Sequence, residues 1–221
     1  MGTYIVLIGV QGAGKGTQAA ILQDKLGLLH VSTGDLFRAM KTQDTPLARK
    51  VQEMMSAGEL IPDEITNEMV RDRLGQDDAA RGVILDGYPR NVGQAEFLDK
   101  LLAEKGEELA VVPILELDRE IAIKRVEGRR YSPDKKRVYN IYFDPPEREG
   151  VDDVTGEPLI QRDDDHREAV ERRIDLFFDE TAPLIEYYKK KSLVQRVDAD
   201  QAIDAVTVDL IAAITRALMD G

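Results

Sequence analysis

The chain has 221 residues, 43% of them hydrophobic and 33% charged, which suits one ordinary globular domain with insertions and a sizeable core. A formal net charge of −12 argues against nucleic acid as a partner, because binding a phosphate backbone needs a basic face. Cysteine is absent, which excludes disulfides and thiolate metal sites. No apolar run reaches the roughly 18 residues of a membrane span. The opening Met1–Val6 lacks the basic segment of a signal peptide, so the expectation is a cytoplasmic protein without membrane association.

In chain order, Tyr4–Ile8 is a short apolar run predicted as a strand buried on both faces. The pattern predicts a helix from Lys15 to Leu26, stopped by Gly27, and a second strand over Leu28–Val31. Next comes an all-helical stretch, 35–74, where a short crossover would do; Pro46 and Pro62 fit first-turn positions of its helices. Val83–Leu85 is the third strand, Gln94 to Lys105 a helix stopped by Gly106, and Val111–Leu117 the fourth strand. Residues 131–161 hold four prolines (133, 145, 146 and 158) and alternation over Arg137–Phe143, which predicts a small β-rich lobe. Leu193–Val197 is the fifth strand. In the closing helix, Ile203 to Met219, the residues Ile203, Val206, Val208, Leu210, Ile211, Ile214 and Leu218 form an apolar stripe. Alternation of strand and helix implies a parallel sheet covered by helices. Insertions this long on a compact core are usually lids or binding loops.

Between the first strand and first helix lies Gly9-Val10-Gln11-Gly12-Ala13-Gly14-Lys15-Gly16-Thr17. Glycines let the backbone N–H groups turn inward to cradle phosphate oxygens. The helix N-terminus adds positive potential, and Lys15 can reach the β- and γ-phosphates. The general motif ends Gly-Lys-Ser/Thr, whereas Gly16 follows Lys15 here and the hydroxyl arrives at Thr17.

This variant loop resembles that of adenylate and related nucleoside monophosphate kinases, although Val10-Gln11 departs from the more usual Ala-Pro. Four further stretches resemble the same family in the same order: Ser32–Arg38, Gly58–Glu64, and Leu85–Arg90 with Gln94 for the monophosphate side, then Gly128–Asp165 for a long lid. The resemblance runs from about Ile5 to Gly221. It implies an α/β fold of the P-loop NTPase type: a parallel sheet of about five strands flanked by helices, with a helical monophosphate-binding insert and a small β-rich lid. It divides the chain into a core (1–34, 75–130 and 162–221), the insert (35–74) and the lid (131–161). It further implies reversible phosphoryl transfer, ATP + AMP = 2 ADP, by a monomer that binds ATP, AMP and ADP and uses Mg²⁺ with ATP.

Phosphoryl transfer demands in-line positioning and neutralised charge, a task for Lys, Arg and Mg²⁺ rather than for a general base. The resemblance places Arg38 and Arg90 on the AMP phosphate, and Lys15, Arg125, Arg129, Arg162 and Arg173 around the phosphates in transit. Gly12, Ala13, Gly14, Lys15, Gly16 and Thr17 would cradle ATP, with Val138, Tyr139 and the Gln201 main chain near its base. Thr33, Gln94, Gly87 and the 59–61 backbone (Glu59, Leu60, Ile61) would line the AMP pocket. Asp86 is placed to hold waters on Mg²⁺, with a turn cap as its plainer role. Asp164 and Asp165 are expected to pair with lid arginines, His30 to be a satisfied core or lid-facing histidine, and His166 to be solvated.

In many relatives the lid carries a zinc site of four cysteines or three and an aspartate. On that spacing this chain has Ser132, Lys135, Asp152 and Thr155, which cannot make a tetrahedral site. A hydrogen-bonded cluster centred on Lys135 and Asp152 is expected instead, with no structural zinc. Two readings stay open beside AMP phosphorylation: a UMP/CMP-type kinase, and a nucleotide-binding module without catalysis. A regulatory GTPase is disfavoured, because its Asn-Lys-x-Asp signature is absent.

Overall fold

In the computed structural model, residues 2–40, 45–57, 61–162 and 165–220 are described. Five strands, β1 (Thr3–Gly9), β2 (Leu29–Ser32), β3 (Gly82–Asp86), β4 (Leu109–Glu116) and β7 (Val194–Asp198), form one sheet in the order β2-β3-β1-β4-β7. Every pairing in it is parallel. Each expected strand is present, with ends displaced by one or two residues. β1 is central and continuously buried from Tyr4 to Gly9, because helices cover both faces. Its side chains alternate between two cores: Ile5 and Leu7 pack with Leu22, Ile123, Ile174 and Leu210, while Tyr4, Val6 and Ile8 pack with Leu98, Leu102 and Tyr188.

Among the described residues, eight α-helices accompany the sheet. The expected ones are α1 (Lys15–Leu26), α5 (Val92–Glu104) and α8 (Ile203–Asp220). α5 starts two residues earlier than predicted, because the Asn91 side chain caps it by accepting from the Gln94 N–H at 2.9 Å. The apolar stripe of α8 is narrower than the sequence implies: Val206, Leu210 and Ile214 are buried, whereas Ile203, Val208 and Leu218 face solvent. α6 (Arg119–Glu127) and α7 (Arg167–Lys189) carry too many charges for their pattern to stand out, yet Ala122, Ile123, Val170, Ile174, Leu184 and Tyr188 bury one face of each.

The stretch between β2 and β3 is helical as expected: α2 (Thr33–Ala39), α3 (Pro46–Ala57) and α4 (Asp63–Leu74). Pro46 opens α3, whereas Pro62 stands one residue ahead of α4 as its N-cap. Phe37, Met40, Ala48, Val51 and Ile61 make a third, small core of their own.

The β-rich lobe is a hairpin of β5 (Arg129–Tyr131) and β6 (Val138–Asn140), extended by isolated bridges such as Tyr131 to Ile160 and Val151 to Pro158. The predicted alternation through Phe143 stops at Asn140, where the chain turns. Gly128, between α6 and β5, leaves no room for a side chain: a Cβ there would lie 2.6 Å from Asn140 Oδ1. The cluster on the zinc spacing exists but differs in its cation. Arg137, not Lys135, donates to the fully buried Asp152 carboxylate, at 2.7 and 2.8 Å from Nε and Nη2. Tyr139 Oη and the Thr155 N–H and hydroxyl complete the Asp152 shell at 2.8–2.9 Å. Ser132 Oγ donates to Asp134 and accepts from the Arg137 N–H. Lys135 is exposed in a left-handed turn with φ 58°. Hydrogen bonds from Arg137 hold the Asp152 carboxyl far below the usual aspartate range.

Candidate active site

The loop after β1 meets the sheet at the carboxyl ends of the strands, the place where open parallel sheets bind ligands. Gly12 and Gly14 adopt φ of 91° and 86°, and a Cβ on Gly12 would strike the Ala122 carbonyl at 2.8 Å. Gly14 is the N-cap of α1, so the first N–H groups of that helix open onto the loop. Gly16 and Thr17 are exposed on the first turn and Ala13 is buried beneath them. The Lys15 ammonium folds across its own loop, donating to the carbonyls of Gly9 at 2.7 Å and Val10 at 3.2 Å.

Around Lys15 stand the residues that other strand ends deliver. Asp86 ends β3 beside the loop, 3.6 Å from where a Cβ of Gly16 would be. Burial depresses the Lys15 ammonium below its ordinary value; Asp86 opposes that shift, and Arg90, Arg129 and Arg173 reinforce it. Burial likewise lowers Arg90, helped by Arg173 and opposed by Asp86 and Glu180. Burial alone would raise the Asp86 carboxyl, but the His30 imidazole, Lys15 and Arg90 outweigh it and hold the group below its usual value. His30 therefore does not sit in the core. Its Nε2 faces Asp86 Oδ2 at 3.6 Å across the ends of β2 and β3.

A second group of cations gathers at the mouth of the hairpin. Arg129 Nη2 lies 3.3 Å from Asp165, which is buried, as expected for a lid partner. Asp163 and Asp164 lie outside the described residues. Arg162 stacks over the buried Tyr131 ring, 3.9 Å from its centroid. Burial lowers the Arg162 guanidinium, with Tyr131 and Asp165 opposing and Arg38 and Arg129 reinforcing the shift. Arg130 turns the other way and donates to the backbone carbonyls of Glu127 and Arg129. Burial and neighbouring positive charge thus both disfavour the charged form of Arg162.

On the monophosphate side, Thr33 Oγ1 donates to the Gly87 carbonyl at 2.9 Å, and Arg90 Nε donates to the same oxygen at 2.9 Å. Arg38 is held by Asp35, with its Nη2 at 2.6 Å. Gln94 is nearly fully buried; its Oε1 accepts from the Arg90 N–H at 2.8 Å and its Nε2 donates to Asp63 at 2.6 Å. Ile61 is buried in the third core, and Glu59 and Leu60 lie outside the described residues.

On the opposite side, Arg125 donates to the Ala199 carbonyl at 2.9 Å and faces Asp200 at 3.4 Å. Gln201 follows directly, its side chain tied to Asp198 and Asp209. Val138 is exposed, whereas the Tyr139 hydroxyl is spent on Asp152 and the Asp153 N–H inside the hairpin. The expectation that Tyr139 packs on a base therefore rests on its ring alone. Phe143, exposed and 5.9 Å from the Arg125 guanidinium, is the aromatic face nearest that arginine.

Residues 7–193 match the family model described as adenylate kinase. An adenylate kinase from Symbiobacterium thermophilum is 44% identical over 211 residues, covering 96% of this chain and 98% of its own length. Adenylate kinases from Streptomyces coelicolor and Acidothermus cellulolyticus are 46% and 45% identical, covering 96% and 95% of this chain and 98% and 97% of their own lengths. The chain belongs to the adenylate kinase family. It is a phosphotransferase of the nucleoside monophosphate kinase class, carrying out ATP + AMP = 2 ADP. No helix among the described residues is long and apolar enough to cross a membrane.

Several residues that shape this adenylate kinase site escaped the sequence reading. Tyr131 and Phe143 are aromatic residues of the lid segment, in which the sequence points to Val138 and Tyr139 instead. Asp63 sits in the first turn of α4, where an acidic residue is ordinary helix chemistry and signals nothing by itself. Their roles depend on contacts spanning 31 positions for Asp63 and Gln94 and 18 for Arg125 and Phe143, which no local pattern encodes.

Proposed function

We propose that Lys15, Arg90, Arg129 and Arg173 neutralise the phosphoryl group in flight, while the backbone of Gly12–Thr17 cradles the ATP phosphates. The gathering of Arg90, Arg129, Arg173 and Asp86 around Lys15, at the carboxyl ends of the strands, is the observation that carries this reading. Arg38 and Arg90 hold the AMP phosphate, Arg162 and Arg125 close on the chain of phosphates, and Thr33, Gly87, Gln94 and the 59–61 backbone line the AMP base. Phe143 with Arg125, the Val138–Tyr139 edge and the Gln201 main chain border the ATP base.

Asp86 and Thr17 offer hard oxygen donors beside the loop, a set that suits Mg²⁺ held largely through water. When bound with ATP, Mg²⁺ supplies further charge neutralisation on the phosphates. Charge on the transferring group spreads over three oxygens, and preorganised guanidiniums meet it without reorganising. No base is required, because the AMP phosphate is already ionised at neutral pH.

The three-part division into core, insert 35–74 and lid 131–161 gives the chemistry its timing. The insert has its own small core and the lid its own buried Asp152 network, so each can move as a body. Closure brings Arg162 and Arg129 over the phosphates and excludes the water that would hydrolyse ATP. The protein is proposed to act as a cytoplasmic monomer on ATP, AMP and ADP. Assaying AMP, CMP, UMP and GMP as acceptors with Mg-ATP tests the substrate reading: AMP should be strongly preferred, and a preference for CMP or UMP would refute it. Distances between labels in lid, insert and core should shorten with two adenosines joined by five phosphates. Unchanged distances would refute closure.

A further inference from the structure

Gln94 has an amide that can face a base in two orientations, and which one it adopts decides what it reads. Its carbonyl can accept twice and its NH₂ can donate twice. Asp63 Oδ1 meets Nε2 at 2.6 Å, and a carboxylate only accepts. The Arg90 backbone N–H meets Oε1 at 2.8 Å, and an N–H only donates. Reversing the amide would set carbonyl against carboxylate and NH₂ against N–H, so the two contacts permit one orientation. Asp63 is itself held: Asn91 Nδ2 donates to both its oxygens at 3.2 and 3.0 Å. Asn91 cannot reverse either, because its Oδ1 accepts from the Gln94 N–H at 2.9 Å as the cap of α5. A carboxylate at the start of α4, in the insert, thus fixes two amides at the start of α5, in the core.

We propose that Asp63 is a specificity-determining positioning residue that sets the polarity of Gln94. This rests on the reading that Gln94 faces the monophosphate base. With one N–H and one lone pair committed, the amide keeps one donor and one acceptor for the base. Adenine presents a ring-nitrogen acceptor beside an amino donor and is matched. Hypoxanthine and guanine present a ring N–H donor beside a carbonyl acceptor, the reverse order. They would need the amide turned over, which Asp63 opposes. An unpaired buried polar group is costly, so the discrimination is stronger than the contact itself.

Inosine monophosphate is the sharpest probe, since its base differs from that of AMP only along this edge. An amide at position 63 can meet Gln94 with either end, so Asp63→Asn leaves only the Arg90 N–H to hold the orientation and weakens the lock. The ratio of kcat/KM for AMP over inosine monophosphate should fall by about tenfold, the scale of one net hydrogen bond, carried mainly by KM. Asp63→Ser, whose hydroxyl also donates or accepts, should act in the same direction. If both variants weaken the two nucleotides in equal proportion, Asp63 only supports the fold and the proposal fails. Gln94→Leu separates the layers. An unchanged KM for AMP in that variant overturns the reading of Gln94 itself. A raised KM there, with an unaltered ratio in the Asp63 variants, overturns only the role of Asp63. Should neither Asp63 variant fold, the Gln94 side-chain amide NMR signals of the unaltered protein decide the matter. One set, with one proton protected from exchange, is expected, and two interconverting sets would refute the lock.

Discussion

The paired arginines after Gly128 give the most direct test of the site, because they are adjacent in sequence and opposite in what they touch. Arg129 contributes to the electrostatic environment of Lys15 and reaches Asp165, whereas Arg130 donates to two backbone carbonyls at 2.9 and 2.8 Å. Removing a preorganised cation aimed at developing charge costs on the order of 10²–10³ in kcat, about 2.7–4 kcal/mol of transition-state stabilisation. Arg129→Ala should show that loss in ADP formation at saturating Mg-ATP and AMP. Arg129→Lys keeps a charge for Asp165 but loses the planar fork, and should recover only part of the rate. In Arg130→Ala the two carbonyls lose donors worth about 1 kcal/mol each in net stability. About 2 kcal/mol corresponds to a Tm lower by roughly 4–8 °C for a chain of this size. Its kcat should stay within a few-fold of the parent. Comparable losses of kcat at both positions would refute the assignment of Arg129 as the inward arginine.

Lys15→Ala and Arg90→Ala should each lower kcat by on the order of 10²–10³, and a loss confined to KM would show that they bind ground state and transition state equally. The Asp152 network has a definite pH signature. Its folded-state value is depressed, so its stabilisation is present above the ordinary aspartate value near 4 and is lost as pH falls toward the lower folded value. The Tm advantage of the parent over Asp152→Asn should be level from neutrality to about pH 5 and shrink steadily below about pH 4; an advantage that persists undiminished to about pH 2.5 would refute it. Elemental analysis after dialysis should find no stoichiometric zinc, since Arg137, Tyr139 and Thr155 occupy the Asp152 oxygens. Leu98→Ala, at a fully buried position beneath the sheet, should cost about 2–5 kcal/mol in denaturant unfolding with kcat little changed; a cost below 1 kcal/mol would mean that this core relaxes freely.

By itself the sequence determined the order of strands and helices, the phosphate loop and the positions of both inserts, because each is written in local chemistry. Burial on two faces makes the strands continuously apolar, and the loop needs glycines where φ is positive. The arginine set came from motif order rather than from periodicity, since Arg125 and Arg173 lie in α6 and α7, whose pattern does not stand out. Tertiary structure decided the partners. Lys135 and Arg137 are equally basic on paper, and only the left-handed turn at 135 and the hairpin register bring Arg137 to Asp152. His30 reads as either a core or a lid-facing histidine, and only the pairing of β2 with β3 brings it to Asp86. Tyr139 reads as a residue near the ATP base, and only the structure shows its hydroxyl bonded to Asp152 and the Asp153 N–H. The exposed half of the α8 stripe reads as buried until the helix meets an edge of the sheet that covers only one side. Asp63 shows the limit most clearly. A helix-opening aspartate is ordinary chemistry, and it becomes a device for orienting Gln94 only because the fold folds α4 back against the start of α5. Periodicity and turn chemistry are local and survive in one dimension, while the choice of hydrogen-bond partner is a three-dimensional contest that every neighbour enters.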